Sequence, residues 1–164
     1  MPRQLQLLPR FPKREGEEWV DVSGWEDRYA ISSHGRCISK ARRIQRSGSF
    51  GSSNRSAQLL TQRLNTAGYV QYAFYRNQGG GEGNQEEHLF LAHRLVARHF
   101  IGPPPTEKHV VNHIDNDPSN NRVGNLEWCT YAENRFHGMV ASHLKDHGEE
   151  DTRARLENWL SQLS

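Results

Sequence analysis

The part of the sequence that most limits the possible folds runs from residue 110 to 138, where two short β-prone runs precede a predicted helix. The first run surrounds His113, and a turn-rich segment at 115–124, containing Asp, Asn, Pro, Ser and Gly, separates it from the second. Thr130, followed three residues later by Glu133, is the reciprocal capping pattern that begins a helix. The sequence therefore predicts the order strand, loop, strand, helix.

This order can bring polar side chains from three different elements to one place. His113 lies on the first run, Asn125 opens the second, and Asn134 falls at about the first turn of the helix. A neutral imidazole suits proton transfer from water near pH 7, and the Asn125 carbonyl is a candidate acceptor for its second nitrogen. Oxygen ligands suit Mg²⁺ or Mn²⁺, which can bind a phosphate group. The residue types therefore favour hydrolysis of a phosphodiester.

At these residues the chain resembles the HNH, or ββα-metal, nucleases, in the branch of phage and intron homing endonucleases. The resemblance continues upstream in the segments His93–Ala97 and Phe100–Pro103. Near the N-terminus it covers a motif like the modular N-terminal motif of homing endonucleases, at Glu18-Trp19, Val22, Gly24-Trp25, Tyr29, Ile31-Ser32 and Gly35-Arg-Cys-Ile38. The implied fold class is α+β: a small N-terminal β meander, then a ββα-metal (His-Me finger) nuclease core and a C-terminal helix.

The resemblance also implies roles for single residues. His113 corresponds to the general base, Asn125 to the residue that orients it, and Asn134 to a metal ligand on the helix. The residue before the base is often an Asp that binds the metal, and here it is Asn112. We expect Asn112 to be a ligand too, with weak metal affinity in the absence of DNA, because two carboxamides bring no negative charge.

Two further residues stay outside this main set. Asp115 is a lesser candidate for the missing negative charge. His137 lies one helical turn after Asn134 on the same predicted face, and it could touch the metal, contact phosphate or face solvent.

The implied activity is that of a metal-dependent DNA endonuclease that leaves 5′-phosphate and 3′-hydroxyl ends, with one Mg²⁺ or Mn²⁺ per active site. One active site per chain favours nicking. The alternative is a DNA-binding protein that keeps the HNH fold and cleaves little or not at all, and Asn112 in place of an acid keeps this alternative open. A third alternative, a protein-interaction module without nucleic acid, rests on the C-terminal helix.

The basic residues are unevenly distributed along the chain. The formal net charge is only +2, yet residues 28–81 contain nine basic side chains and no acidic one, whereas residues 138–164 contain three basic and five acidic. Seventeen of the 21 basic residues are arginines, which suit bidentate contacts to phosphate and guanine. Double-stranded DNA is therefore the predicted partner, and a solvated surface is the alternative. The candidate DNA-binding residues are Arg42, Arg43, Arg46, Arg94, Arg98, Arg122 and Arg135.

Four segments are expected. Residues 17–39 form the N-terminal β motif, and residues 40–57 a basic, Ser/Gly-rich linker that either orders along a DNA groove or is a plain tether. Residues 58–138 form the nuclease domain, with its ββα core at 110–138, and 139–164 a helical tail. The tail has apolar residues at helical spacing, at Leu156, Trp159, Leu160 and Leu163. They predict packing onto the body of the chain or, alternatively, a dimer contact, so a monomer or weak homodimer is expected.

The two cysteines, Cys37 and Cys129, are far apart and form no Cys-x-x-Cys pair. Neither a structural zinc site nor a disulfide framework is therefore expected, and the reducing cytoplasm of a bacterium or phage-infected host cell fits this usage. The sequence has no apolar run of membrane-spanning length and no signal-peptide pattern, so no membrane association is expected.

Overall fold

The computed structural model describes residue 12 and residues 14–45, 52–77 and 85–162. The strands in these ranges are β1 (Trp19–Asp21), β2 (Tyr29–Ser32), β3 (Cys37–Ser39), β4 (Arg42–Gln45), β5 (Ser52–Arg55), β6 (Gln58–Leu59), β7 (Arg63–Leu64), β8 (Val70–Asn77), β9 (Gln85–Leu91), β10 (His109–His113) and β11 (Leu126–Thr130). The helices are α1 (Ala92–Val96), which continues into a π-helical turn at Ala97–Ile101, and α2 (Tyr131–Ser161); a 3₁₀ turn at Val123–Asn125 precedes β11.

The N-terminal part is an antiparallel meander of β1, β2 and β3, extended by the short strand β6. Side chains alternate between the two faces of a strand, and here both faces are covered. Trp19, Ala30 and Ile38 form a small cluster on one side, while Val20 and Ile31 belong to the main core. The predicted N-terminal meander is confirmed.

Within the segment predicted as a linker at 40–57, the described residues contain two paired strands. β4 and β5 form an antiparallel ribbon with four residue pairs, from Arg42 opposite Arg55 to Gln45 opposite Ser52. The Arg43 Nε donates a hydrogen bond to the Ser52 Oγ at 2.7 Å across the ribbon. The backbone groups of this apolar-poor segment are satisfied by cross-strand pairing, which composition alone does not reveal.

A three-stranded antiparallel sheet of β7, β8 and β9 lies next along the chain, and α1 packs on it. β8 and β9 pair antiparallel in a register that places Gln71 opposite Leu91 and Tyr75 opposite Glu87. Leu95 and Val96 of α1 are buried. The main core is continuous and includes residues from the N-terminal meander, β8, α1, β10 and β11.

The strand–loop–strand–helix unit predicted for residues 110–138 is present. β10 and β11 pair antiparallel in a register that places His113 opposite Leu126 and Asn112 opposite Glu127. α2 follows directly, and Thr130 is its N-cap with the full capping box to Glu133. The backbone amide of Glu133 donates to the Thr130 Oγ1, and the Glu133 carboxylate accepts from the Thr130 amide at 2.7 Å.

Helix α2 is interrupted at Gly148, whose φ of 82° and ψ of 177° are not helical. The segment after this break packs on the first half of α2, where the Trp159 and Phe136 rings lie 5.4 Å apart. The tail therefore packs on the first half of α2. Trp159 and Leu160 remain about half exposed, and Leu163 lies outside the described residues. None of the helices in the described part of the chain has the length and apolar character needed to cross a membrane.

Candidate active site

A cleft of about 260 Å³ lies between β10, the loop that follows it and α2. His113 and Asn112 line it from the end of β10, and Asn134 lines it from the first turns of α2. Asn134 follows His113 by 21 positions in sequence, across the loop and β11, so the hairpin and the capped helix bring the two parts of the site together. Three of the four residues predicted for the site therefore share one cleft.

The imidazole of His113 is held by a residue that the sequence reasoning missed. Its Nε2 lies 3.3 Å from the Asn121 Oδ1, and the Asn121 Nδ2 donates to the Ser119 carbonyl at 2.9 Å. The second bond orients the amide so that its oxygen faces the ring. Because a carboxamide oxygen only accepts, this contact assigns the ring hydrogen to Nε2 and leaves the Nδ1 lone pair as the basic atom.

Asn125 has a different role from the predicted one. Its Oδ1 accepts from the Asp115 amide at 3.1 Å, and its Nδ2 donates to the Asp115 Oδ1 and the Asn120 carbonyl at 2.8 and 2.9 Å. The prediction that the Asn125 carbonyl holds the imidazole is wrong, because Asn125 lies before the first residue of β11 and faces the loop. It joins the two ends of that loop and can position the base only indirectly.

Asp115 is occupied by the same loop. Its carboxylate accepts hydrogen bonds from the Asp117 amide at 2.9 Å, the Asn120 Nδ2 at 2.6 Å and the Asn125 Nδ2 at 2.8 Å. These bonds lower the pKa of the Asp115 carboxyl, and the bond from the Asp117 amide has the largest effect. Asp115 is absent from the described lining of the cleft, and the loop engages both of its carboxylate oxygens.

Glu127 brings a negative charge next to Asn112. The Asn112 Nδ2 donates to the Glu127 Oε1 at 2.8 Å, which leaves the Asn112 Oδ1 as its atom for a cation. The sequence contained a signal for this contact, because the hairpin register that sets His113 opposite Leu126 also sets Asn112 opposite Glu127. A carboxylate bonded to a ligand in this way both orients the ligand and adds charge near the ion.

On α2, the capping box fixes the start of the helix and hence the position of Asn134 one turn later. His137 follows after three residues but is not among the described residues that line the cleft, and its buried Nδ1 has no hydrogen-bond partner among them. Of the two helix residues, Asn134 is the one among the described residues that line the cleft.

Two rings pack against the candidate base. The His93 ring centroid lies 5.1 Å from that of His113, and the Tyr69 centroid lies 5.9 Å from it. His93 is only 5% exposed, and burial, followed by the nearby His113 and Arg94, lowers the pKa of His93 to about 4. His93 is therefore neutral at pH 7 and adds no charge beside His113.

Comparison with known protein families gives two matches, one in the N-terminal part of the chain and one in the part that contains the cleft. A profile described as HNH endonuclease matches residues 90–136, and one described as NUMOD4 motif matches residues 17–75. The chain carries an HNH endonuclease domain behind a NUMOD4 motif. The family resemblance seen in the sequence is confirmed. The NUMOD4 match covers both the predicted N-terminal motif at 17–39 and the predicted linker at 40–57.

Individual relatives agree with this assignment. The DNA endonuclease I-HmuI of Bacillus phage SP01 is 31% identical over 117 residues, which are 71% of this chain and 55% of that protein. The SPbeta prophage-derived putative HNH homing endonuclease YosQ of Bacillus subtilis is 41% identical over 70 residues, or 42% of this chain and 40% of that protein. The chain thus spans about half the length of these relatives, or less.

The fold is also similar to a solved structure. The HNH homing endonuclease I-HmuI, in a structure that concerns its DNA binding and cleavage, superposes with a TM-score of 0.54 and 25% identity. The match covers 88% of this chain and 68% of that one. The predicted α+β class, with N-terminal strands, an HNH core and a C-terminal helix, is confirmed.

The NUMOD4 motif contacts the loop that holds the base. The Val123 amide, from the HNH match, donates to the Ser33 carbonyl of the NUMOD4 match at 2.8 Å. A Cβ built on Gly35 would lie 2.6 Å from the Asn121 Cβ. The β2–β3 turn of the N-terminal module therefore packs directly on the residue that bonds His113.

The arginines predicted to bind DNA lie in several parts of the fold. Those that the structure shows exposed are Arg43, Arg94, Arg98, Arg122 and Arg135. Arg42 is half-buried and donates to the Ser39 Oγ at 2.9 Å, and Arg46 lies outside the described residues. Arg122 and Arg135 directly follow Asn121 and Asn134, so each is the neighbour in sequence of a residue of the site.

Proposed function

We propose that this chain is a metal-dependent DNA endonuclease that nicks one strand and leaves 5′-phosphate and 3′-hydroxyl ends. The single observation that supports this most is the meeting of His113, Asn112 and Asn134 in one cleft of an HNH domain. The chain has one such cleft among its described residues, and one active site cuts one strand per binding event.

In this proposal the His113 Nδ1 accepts a proton from the water that attacks phosphorus. The Asn121 Oδ1 keeps the hydrogen on Nε2, and the neutral His93 packs against the ring without competing charge. General-base catalysis of this kind contributes about 10²–10⁴-fold to a rate. Asn125 supports the base through the loop that it joins to Asp115.

One Mg²⁺ or Mn²⁺ would be held by the Oδ1 atoms of Asn112 and Asn134. These donors fit the ion, since hard divalent cations prefer oxygen ligands and tolerate several waters. Glu127, bonded to Asn112, adds the negative charge that the two carboxamides lack. When bound, the ion would stabilise charge on the phosphate and the leaving oxygen. Zinc is not expected in this cleft, because the cleft lacks the thiolate and paired imidazole ligands that zinc prefers.

Double-stranded DNA is the proposed partner. Arg122 and Arg135 would contact phosphates beside the cleft. Further phosphate contacts would come from Arg94 in α1, Arg98 in the π-helical turn, and Arg42 and Arg43 in β4, together with Arg46, which follows β4 in the sequence. Phosphate contacts make affinity fall steeply with salt. The protein would act as a monomer or weak homodimer, in the cytoplasm of a bacterium or phage-infected cell. The proposed segments are the N-terminal motif at 17–39, the basic arm at 40–57, the nuclease domain at 58–138 and the tail at 139–164.

Incubation of supercoiled plasmid with the protein and Mg²⁺ or Mn²⁺ tests this function. We expect open circles from the wild type and from His109→Ala, a matched change at the other end of β10, and none from His113→Ala. All three proteins should retard DNA on a gel. DNA ligase should reseal the nicks, because it joins 5′-phosphate to 3′-hydroxyl ends. Nicking by His113→Ala at the wild-type rate would refute the proposed base.

A second candidate function is DNA binding with little or no cleavage. The observation that favours it is Asn112, which places a neutral amide at a position where the family often has an acid. This function would be supported if the wild type and His113→Ala both retard the plasmid and leave it supercoiled with either metal.

A further inference from the structure

Helix α2 contains a second cluster of metal-ligating side chains, well separated in sequence from the HNH residues. His143 and His147 lie one helical turn apart. The interruption of the helix at Gly148 turns the chain so that Asp151 lies near them. One nitrogen from each imidazole and one Asp151 oxygen lie within 4.8 Å of one another. The candidate nuclease function uses none of these residues.

Two contacts orient the histidines of this cluster. The His147 Nδ1 donates to the His143 carbonyl at 3.3 Å, which leaves the Nε2 lone pair of His147 free. Metal-binding histidines usually have such a bond from the other ring nitrogen to a carbonyl. The His143 Nε2 lies 3.1 Å from the Asp151 Oδ2, yet it is buried and makes no hydrogen bond in the part of the chain that the structure describes.

We propose that His143, His147 and Asp151 bind a zinc ion that clamps the two halves of α2 together. Two imidazoles and one carboxylate are a donor set that zinc favours, with water in the fourth position. Zinc–ligand bonds of about 2.0–2.1 Å put tetrahedral ligand atoms about 3.3 Å apart. At 3.1 Å, the separation between the His143 Nε2 and the Asp151 Oδ2 is close to this value, and all the ligand atoms lie within 4.8 Å of one another.

The two sites differ in the class of cation that they take. The HNH cleft presents carboxamide oxygens, which suit Mg²⁺ or Mn²⁺, whereas the cluster on α2 presents two imidazole nitrogens, which magnesium avoids. The sequence-based expectation of no zinc considered only cysteines. The paired histidines at i and i+4 are the signal it left out, and the reversal at Gly148 supplies the third ligand.

The clamp has a structural consequence for the tail. The first half of α2 contains Asn134, and the second half packs on it through Trp159 and Phe136. Without the ion, the two halves of this helical hairpin are connected at Gly148 and held together by few buried side chains. Trp159 and Leu160, for example, are about half exposed. An ion that bridges the two halves fixes the reversal and so the direction of the tail.

The test is metal binding by the full chain after treatment with a chelator, measured by native mass spectrometry with Zn²⁺ and by visible absorption with Co²⁺ as a spectroscopic substitute. We expect one zinc per chain and Co²⁺ bands of a four-coordinate site. His143→Ala and Asp151→Asn should lower the zinc affinity by more than tenfold. His109→Ala and His113→Ala should keep it, which excludes the HNH cleft as the site.

The Asp151→Asn variant should remain folded, because the substitution replaces one largely exposed oxygen atom with nitrogen. Its circular dichroism spectrum should therefore match that of the wild type. Zinc uptake that is unchanged in both His143→Ala and Asp151→Asn would overturn the proposal. So would a wild-type chain that takes up no zinc, in which case the His143–Asp151 contact is a simple ion pair. Plasmid nicking with Mg²⁺ is a separate readout, so failure here is distinguishable from failure of the nuclease function.

Discussion

At the scale of single residues, the candidate base His113 is oriented by Asn121, a partner that the sequence pattern does not reveal. His113 could be predicted from its place on a β-prone run and from the family resemblance. Its partner Asn121 could not, because the loop that follows contains several asparagines and only its folded path selects one of them. Asn125, the residue predicted for this role, instead closes the loop through Asp115.

We predict that Asn121→Ala lowers the single-turnover nicking rate by about 10–100-fold, the usual effect of removing a supporting hydrogen bond at such a centre. The reason is that Nε2 loses its acceptor and the ring tautomer is no longer fixed. Asn121→Asp keeps an acceptor oxygen and should recover most of the rate, with a shifted pH–rate profile. DNA affinity should stay the same in both. A rate and pH profile unaffected by Asn121→Ala would show that this contact does not position the base.

A second prediction concerns the charge next to the metal ligands. Glu127→Gln keeps an oxygen that accepts from the Asn112 amide but removes the negative charge, so it should raise the Mg²⁺ concentration for half-maximal nicking by about tenfold. Adding Asn112→Asp to Glu127→Gln returns one charge to the site and should reverse the change. An unaltered Mg²⁺ requirement in Glu127→Gln would mean that this carboxylate does not act on the ion.

At the scale of elements, the turn between β2 and β3 links the NUMOD4 motif to the nuclease site. Gly35 and Gly24 both have a φ of 77°, a conformation that glycine adopts without a steric penalty. They differ in their surroundings, because a Cβ at Gly35 would meet the Asn121 Cβ at 2.6 Å, whereas one at Gly24 would meet nothing within 4 Å.

We therefore predict that Gly35→Ala and Gly24→Ala have different effects. Both should lose about 1 kcal/mol of unfolding free energy for the left-handed conformation, and Gly35→Ala should lose about 1–3 kcal/mol more for the clash. Only Gly35→Ala should slow nicking, since only it displaces Asn121. Urea denaturation and single-turnover nicking measure the two effects, and equal nicking rates for the two variants would contradict the proposed link.

A fourth prediction concerns the buried ion pair at the start of the N-terminal module. Glu17 is fully buried and accepts from Arg36 at two oxygens, one of them 2.8 Å from the Arg36 Nε. Burial raises the pKa of Glu17, but the hydrogen bonds from Arg36, Ser32 and the Arg14 amide outweigh it and lower this pKa to about 2. The folded pKa is below the unfolded one, so the stabilisation is present above about pH 4.5 and is lost as pH falls towards 2.

Glu17→Gln should consequently lower the unfolding free energy at pH 7 by about 3–5 kcal/mol, because it leaves the Arg36 charge buried without its partner. The variant should also lose stability less steeply than the wild type between pH 4.5 and 2. Urea denaturation at several pH values measures both effects. If the unfolding free energies of the two proteins fall equally steeply between pH 4.5 and 2, Glu17 does not cause the loss of stability in acid.

Among the elements themselves, the ββα unit could be predicted and the β4–β5 ribbon could not. The former has a hydrophobic pattern, a turn-rich loop and the Thr130–Glu133 capping box, which all indicate the same structure. Apart from Ile44, the ribbon is made of Arg, Gln, Ser and Asn residues, which have little strand preference. Its cross-strand pairs, such as Arg43 with Asn54, form only when the two halves meet.

At the scale of the whole molecule, the NUMOD4 motif and the HNH domain share one core. Val20 and Ile31 from the N-terminal meander lie in the same buried cluster as Val111 and Leu126 from the ββα hairpin. The sequence predicts four successive segments, and this sharing could not be derived from them, because it depends on which faces of distant strands meet. It also explains how a turn near the N-terminus comes to touch the loop beside His113.

The most direct test of the central claim, that His113 is the base of a nuclease centre, is rescue of His113→Gly by free imidazole in the plasmid-nicking assay with Mg²⁺. The account predicts that this variant loses about 10²–10⁴-fold in rate and that added imidazole restores part of the activity, because the small base can occupy the vacated place in the cleft. Undiminished nicking by His113→Gly without imidazole would contradict it.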